Sequence, residues 1–170
     1  SKVEGNAKLL IYGDYESDYG KRLKERYSSD RIQFKGSYHN NKLQSVLDSL
    51  DVLVCPSIWL ENAPLVIQEA QSVELPVLVS DKGGMAELVH DGVDGFTFKL
   101  GDAEDLRNRM QDLVNHPEKL LNLVKPIEKV VSIEDDAALC MQKYSEIKKQ
   151  NIVYPHRPCP QRMTFITKDR

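Results

Sequence analysis

The sequence predicts an α/β fold: three layers, with helices on both faces of a mostly parallel sheet. Two observations predict it. From Lys8 to Phe98, short apolar runs alternate with stretches of helical spacing, and most of the runs stop at glycine, proline or serine. The runs are apolar along their length and not alternately polar, as expected of strands buried on both faces. With 170 residues the chain is long enough for one domain with a full core.

Lys8-Leu9-Leu10-Ile11-Tyr12-Gly13 reads as the first strand. Ser17 to Ser28, rich in Lys, Arg and Glu, reads as a helix. Arg31 to Gly36 is the second strand. Asn40 or Asn41 is a candidate cap for a helix carrying Leu43, Val46, Leu47 and Leu50 at helical spacing. Asp51 to Pro56 is the third strand, and Pro64 to Val73 the helix after it. Pro76 to Ser80 is the fourth strand, Gly83-Gly84 opens a loop, and Met85 to His90 holds one or two helical turns. Gly95 to Phe98 is the fifth strand. Only helices follow: Asp102 to Val114, Pro117 to Val124, and Ser132 to Lys149, with Ser132 as cap and Asp135 and Asp136 in the first turn. From Gln150 the pattern fails. Pro155, Pro158 and Pro160 deny backbone donors to a regular element, so residues 150–170 read as a tail or linker.

Composition narrows the function. Hydrophobic residues make up 41% and charged residues 29%, an ordinary balance for a soluble domain. The formal net charge of −3 argues against a nucleic-acid partner, which needs clustered Lys and Arg. No apolar run approaches a membrane span, and Ser1 to Gly5 has no signal-peptide character. Cys55, Cys140 and Cys159 are odd in number and far apart, which is neither a disulfide framework nor a zinc spacing. A cytoplasmic setting fits best. With no start methionine and a strand almost at once, the chain reads as a piece of a longer protein.

Glu61 and Glu69 are the most informative pair. Glu61 lies in the loop after the third strand, and Glu69 lies inside the helix that begins near Pro64. A strand, a short loop and a helix N-terminus can hold a phosphate. Carboxylates on either side of it can accept hydrogen bonds from sugar hydroxyls, a layout suited to a nucleotide sugar. The plainer alternatives are dipole complementarity for Glu61 and a solvated helix face for Glu69. Gly83-Gly84 permits a close backbone approach or a positive φ, with a plain turn as the alternative. Trp59 is read as packing against the domain, with a wall of the sugar pocket as the alternative, and Cys55 as a core residue. Other motifs fail. The glycines at 13 and 20 are spaced too widely for a phosphate loop, and Arg22 replaces its Ser or Thr. There is no Asp-x-Asp pair, and the four histidines are scattered, so no metal site is expected.

The ordered series Val54-Cys55-Pro56-Ser57, Glu61 to Ala70, Pro76-Val77, Gly83 to Val89 and Asp91 to Phe96 resembles the C-terminal half of retaining glycosyltransferases of the GT-B fold, the glycosyl transferases group 1 family. The likeness covers roughly residues 8 to 148. It implies a Rossmann-like donor-binding domain over residues 1–149, one half of a GT-B fold. The donor would be a UDP-, GDP- or ADP-sugar, transferred to an acceptor hydroxyl with retention and without a cofactor or metal. By the same resemblance Glu61 is the catalytic residue facing the donor sugar. Glu69 binds the ribose hydroxyls. Asn62, Ala63, Pro64, Leu65 and Val66 meet the diphosphate, Tyr38 and His39 occupy the place of the nucleobase, and Gly13, at a matching strand end, is a further donor-binding residue.

The family's C-terminal half begins with a further strand and helix, whose Arg and Lys neutralise the diphosphate, and the acceptor binds mostly to an N-terminal domain. This chain carries neither part. The acceptor, a sugar or a lipid-linked glycan, is therefore expected to bind elsewhere in the full-length protein, which would be cytoplasmic or peripheral to a membrane. A sugar-nucleotide epimerase half and a non-catalytic nucleotide-sugar-binding module are the alternatives.

Overall fold

The structure, a computed structural model, describes residues 3–123 and 131–149. The expected tail, 150–170, lies outside the described residues. The chain forms two compact units, one up to Val130 and one from Val131 onward.

In the first unit the strands are β1 (Leu9–Tyr12), β2 (Ile32–Gly36), β3 (Leu53–Cys55), β4 (Val77–Ser80) and β5 (Phe96–Phe98). All pairing between them is parallel. The helices are α1 (Asp18–Tyr27), α2 (Leu43–Leu47), α3 (Leu65–Ser72), α4 (Gly84–Leu88), α5 (Ala103–Asn115) and α6 (Glu118–Leu121). The α/β class, the parallel pairing and the order of elements match the reading of the sequence.

The strands hydrogen-bond in two groups. β1 pairs with β2, and β3, β4 and β5 form a separate sheet in that order. The three-stranded sheet has the layered core. Val77 and Val79 of β4 face one side, where Leu47, Ile67, Ala70, Met85 and Val89 are buried with them, so α2, α3 and α4 cover that face. Leu78 faces the other side with Phe96, Phe98 and Leu113, backed by Leu106, Met110 and Leu120 of α5 and α6. Successive residues of a strand point to opposite faces, which is why one apolar run serves two cores. Removing this much apolar surface from water is the main favourable term in the fold. In β1 and β2, by contrast, no strand residue is fully buried.

Helix starts follow their capping residues. Ser17 Oγ accepts from the Gly20 amide and starts α1. The Asp102 carboxylate accepts from the amides of Glu104 and Asp105 and starts α5. The helix near residue 43 departs from expectation. Neither Asn40 nor Asn41 caps it; both lie in a 3-10 turn, Asn40–Lys42, that runs into α2 without a side-chain cap. Short 3-10 turns at α-helix ends are common, and the tighter turn takes up the candidate cap positions.

The second unit contains α7 (Ile133–Lys149). Ser132 Oγ accepts from the Asp135 amide and donates to the Asp135 carboxylate, so the predicted cap is present. No helix among the described residues is long and apolar enough to cross a membrane.

Candidate functional site

The site is built on the loop between β3 and α3. The chain leaves β3 at Cys55 and reaches α3 at Leu65, with Glu61 between and Glu69 about one turn further along α3 itself. Glu61 and Glu69 are both half-buried.

The helix start differs by one residue from expectation. Pro64 is not in the first turn; it holds the cap position in extended backbone (φ −61°, ψ 116°), and no side chain caps the helix. Asn62 is exposed and does not reach the helix start. The Ile67 amide donates to the Pro64 carbonyl. The amides of Leu65 and Val66 stand at the start of α3, where an α-helix has no carbonyl of its own to offer. The positive end of the helix dipole adds to them. An anion meeting these amides would lie between the two glutamates along the chain. Pro64 itself is buried, while Ala63 and Leu65 are exposed.

Gly83 and Gly84 hold the loop from behind. Gly83 has φ +62°, a conformation that costs glycine nothing. The Gly84 amide donates to the Glu61 carbonyl at 2.7 Å. A Cβ on Gly84 would lie 1.5 Å from the Asn62 carbonyl oxygen. The pair is thus more than a plain turn: Gly83 takes the positive φ and Gly84 the close backbone approach. Ser57 and Ser80 complete the support. The fully buried Ser80 hydroxyl donates to the Ser57 carbonyl at 2.8 Å, and Ser57 Oγ lies 3.3 Å from Glu61 Oε1. Sequence reasoning gave no role to either serine. A hydroxyl closing an otherwise apolar buried strand, as Ser80 does, was the available signal, since a buried polar group needs a partner.

Tyr38 reaches the same region from the other side. Its ring stands edge-on to Tyr12, with centroids 5.5 Å apart. Burial first, then the Glu69 carboxylate, then Tyr12 hold its hydroxyl above the usual tyrosine range. Tyr38 and Glu69 are thus close enough to act on each other, although one lies in the loop after β2 and the other on α3. His39 is exposed, and its carbonyl accepts from Lys42. Gly13 ends β1 with φ +132°, its amide donating to the Gly36 carbonyl, and open space lies where a side chain would be.

Trp59 does not pack against the domain. It is 76% exposed, between the exposed Ile58 and Leu60. The Trp59 amide donates to Ser57 Oγ at 3.3 Å at the base of this exposed tip. Cys55 packs against the core, and burial pushes its thiol above the usual range. Among the described residues no cluster of three or more His, Cys, Asp or Glu is placed to hold a metal ion.

The chain is similar to known proteins in sequence and in fold. The chain is 38% identical over 121 residues to the UDP-Gal:alpha-D-GlcNAc-diphosphoundecaprenol alpha-1,3-galactosyltransferase of Escherichia coli, a match covering 68% of this chain and 30% of that protein. Anabaena HepE, solved in complex with UDP and with UDP-glucose, shares the fold with a TM-score of 0.70 at 23% identity, over 87% of this chain and 42% of HepE. The C-terminal domain of the glycosyl transferase group 1 protein LpcC from Francisella tularensis matches with a TM-score of 0.52 at 20% identity, over 75% of this chain and 60% of that one. The chain therefore spans less than a third of the E. coli relative and under half of HepE. The family model described as glycosyl transferases group 1 matches residues 1–130. That match takes in both strand groups, the β3–α3 loop and the glycine pair behind it, and the chain belongs to the glycosyl transferases group 1 family.

Proposed function

We propose that this chain is the C-terminal, donor-binding domain of a glycosyltransferase that takes a sugar from a nucleotide diphosphate sugar and passes it to an acceptor hydroxyl with retention. The observation that carries the reading is the uncapped start of α3 with Glu61 before it and Glu69 within it. Family membership supports a transferase over an epimerase. The HepE complexes with UDP and UDP-glucose, and the UDP-Gal in the name of the E. coli relative, favour a uridine donor.

The division of labour follows from the chemistry. The Leu65 and Val66 amides meet the diphosphate, whose negative charge grows as the sugar departs. Glu69 accepts from the ribose hydroxyls and Tyr38 borders the base, while Glu61 accepts from hydroxyls of the transferred sugar. Catalysis is then mainly positioning, plus stabilisation of the leaving diphosphate by fixed dipoles. The acceptor, a sugar or a lipid-linked glycan, binds to another domain of the full-length protein, which works in the cytoplasm or at a membrane surface. This domain alone binds donor but does not transfer it.

Calorimetric titration with UDP, GDP and ADP and their sugars tests the reading. Glu69→Ala weakens the bare nucleotide by about 1.5–3 kcal/mol, the worth of hydrogen bonds to a charged acceptor. Glu61→Ala leaves the bare nucleotide alone and weakens the nucleotide sugar. Equal weakening of UDP by both changes would overturn the assignment, as would sugar transfer by this domain alone.

A further inference from the structure

The support behind Glu61 is more elaborate than a loop of this length requires. Its carbonyl accepts from the Gly84 amide at 2.7 Å, and its own amide donates to the Trp59 carbonyl at 3.0 Å. Its carboxylate lies 3.3 Å from Ser57 Oγ. Ser57 is itself held, since its carbonyl accepts from the fully buried Ser80 hydroxyl at the end of β4. The chain of contacts therefore runs from a rigid strand through Ser80 and Ser57 to one oxygen of Glu61.

Ser57 Oγ also lies 3.4 Å from the Trp59 carbonyl. A hydroxyl has one hydrogen, and a bond to an ionised oxygen is roughly twice as strong as a neutral one. The carboxylate is therefore the preferred acceptor of the Ser57 hydrogen, while the Trp59 amide, 3.3 Å away, donates to a lone pair of Ser57 Oγ. Gly84 fixes the backbone as Ser57 fixes the side chain. Any Cβ there would collide with the Asn62 carbonyl and move the Glu61 peptide.

We propose that Ser57 and Gly84 are positioning residues for Glu61, the hydroxyl selecting its side-chain rotamer and the glycine amide setting its backbone. The proposal rests on the donor-sugar role given above to Glu61. A displacement of about 1 Å at such a group is enough to cost up to roughly a hundredfold in rate.

Two measurements on Ser57→Ala and Ser57→Thr test it. The first needs no ligand: three-bond NMR couplings along the Glu61 side chain. One rotamer is expected in the native chain, averaging in Ser57→Ala, and one rotamer again in Ser57→Thr, which keeps the hydroxyl. The second is calorimetry with UDP and UDP-glucose. Ser57→Ala should lower UDP-glucose affinity roughly tenfold with UDP unchanged within about twofold, and Ser57→Thr should restore it. Gly84→Ala should lower UDP-glucose affinity at least as far, and if it fails to fold the serine pair still decides. Unchanged couplings in Ser57→Ala, or equal loss of both ligands together with a lowered Tm, would overturn the proposal. Averaged couplings with no binding of either ligand to the native chain would uphold the positioning and sink the donor-site reading instead.

Discussion

β4 and β1 are both short parallel strands of apolar residues, yet they meet different fates. Val77, Leu78 and Val79 have no exposed surface, because helices cover both faces of their sheet. Leu9 is 37% exposed, and Leu10, Ile11 and Tyr12 are only half-buried. An apolar run becomes a fully buried strand here where helices cover both its faces and strands flank both its edges. Among the described residues β1 pairs only with β2, whereas β4 is flanked by β3 on one side and β5 on the other. The proposed donor site draws on both regions. Glu61 and Glu69 belong to the well-covered one, and Tyr38 to the thinly covered one.

The largest expected contrast is in stability. Leu78→Ala removes a side chain from a closed core and should cost about 2–5 kcal/mol in urea unfolding. Ile11→Ala removes a half-buried one and should cost less than about half as much. Equal losses would mean that β1 is as well packed as β4 and would end the comparison.

Thiol chemistry sharpens it at the edge of the covered region. Cys55 packs against the core, with its thiol pushed up by burial, while Cys140 on α7 is exposed. The thiolate is the reactive form. Alkylation at pH 8, mapped by mass spectrometry, should proceed at least about tenfold more slowly at Cys55. Comparable rates would show that β3 opens freely.

The smallest effect is acid sensitivity at α5, on the far face of the same sheet. The Asp105 amide above all holds the Asp102 carboxyl below the usual range, and the Lys119 ammonium does the same for Asp112. A carboxyl lowered in the folded state contributes fully above its unfolded value near 4, and the contribution fades as pH falls through the folded value. Both groups are close to solvent, so the loss is small. Tm should decline modestly between about pH 5 and 3, and the slope should flatten in Asp102→Asn/Asp112→Asn. An unchanged slope would place the acid sensitivity elsewhere.

Much of this was readable from local pattern. Apolar runs closed by Gly13, Gly36 and Pro56 marked strand ends, since those residues change the backbone whatever surrounds them. Ser17 and Ser132 began helices because a cap acts on amides only a few residues away. Where a local rule had competitors it missed: Asn40 and Asn41 entered a 3-10 turn, and Pro64 took the cap position.

By itself, the sequence determined the α/β class, the order of elements and the glutamate pair on either side of the α3 start, because each rests on contacts between near neighbours in the chain. Only the tertiary structure decided the rest. It set the split into two strand groups, the meeting of Tyr38 with Glu69, the exposure of Trp59, and the grip of Ser80, Ser57 and Gly84 on the Glu61 loop. Apart from Ser57 and Glu61, those partners are distant in the chain, Ser80 from Ser57 by 23 residues, and no local periodicity records which carbonyl a distant donor will find.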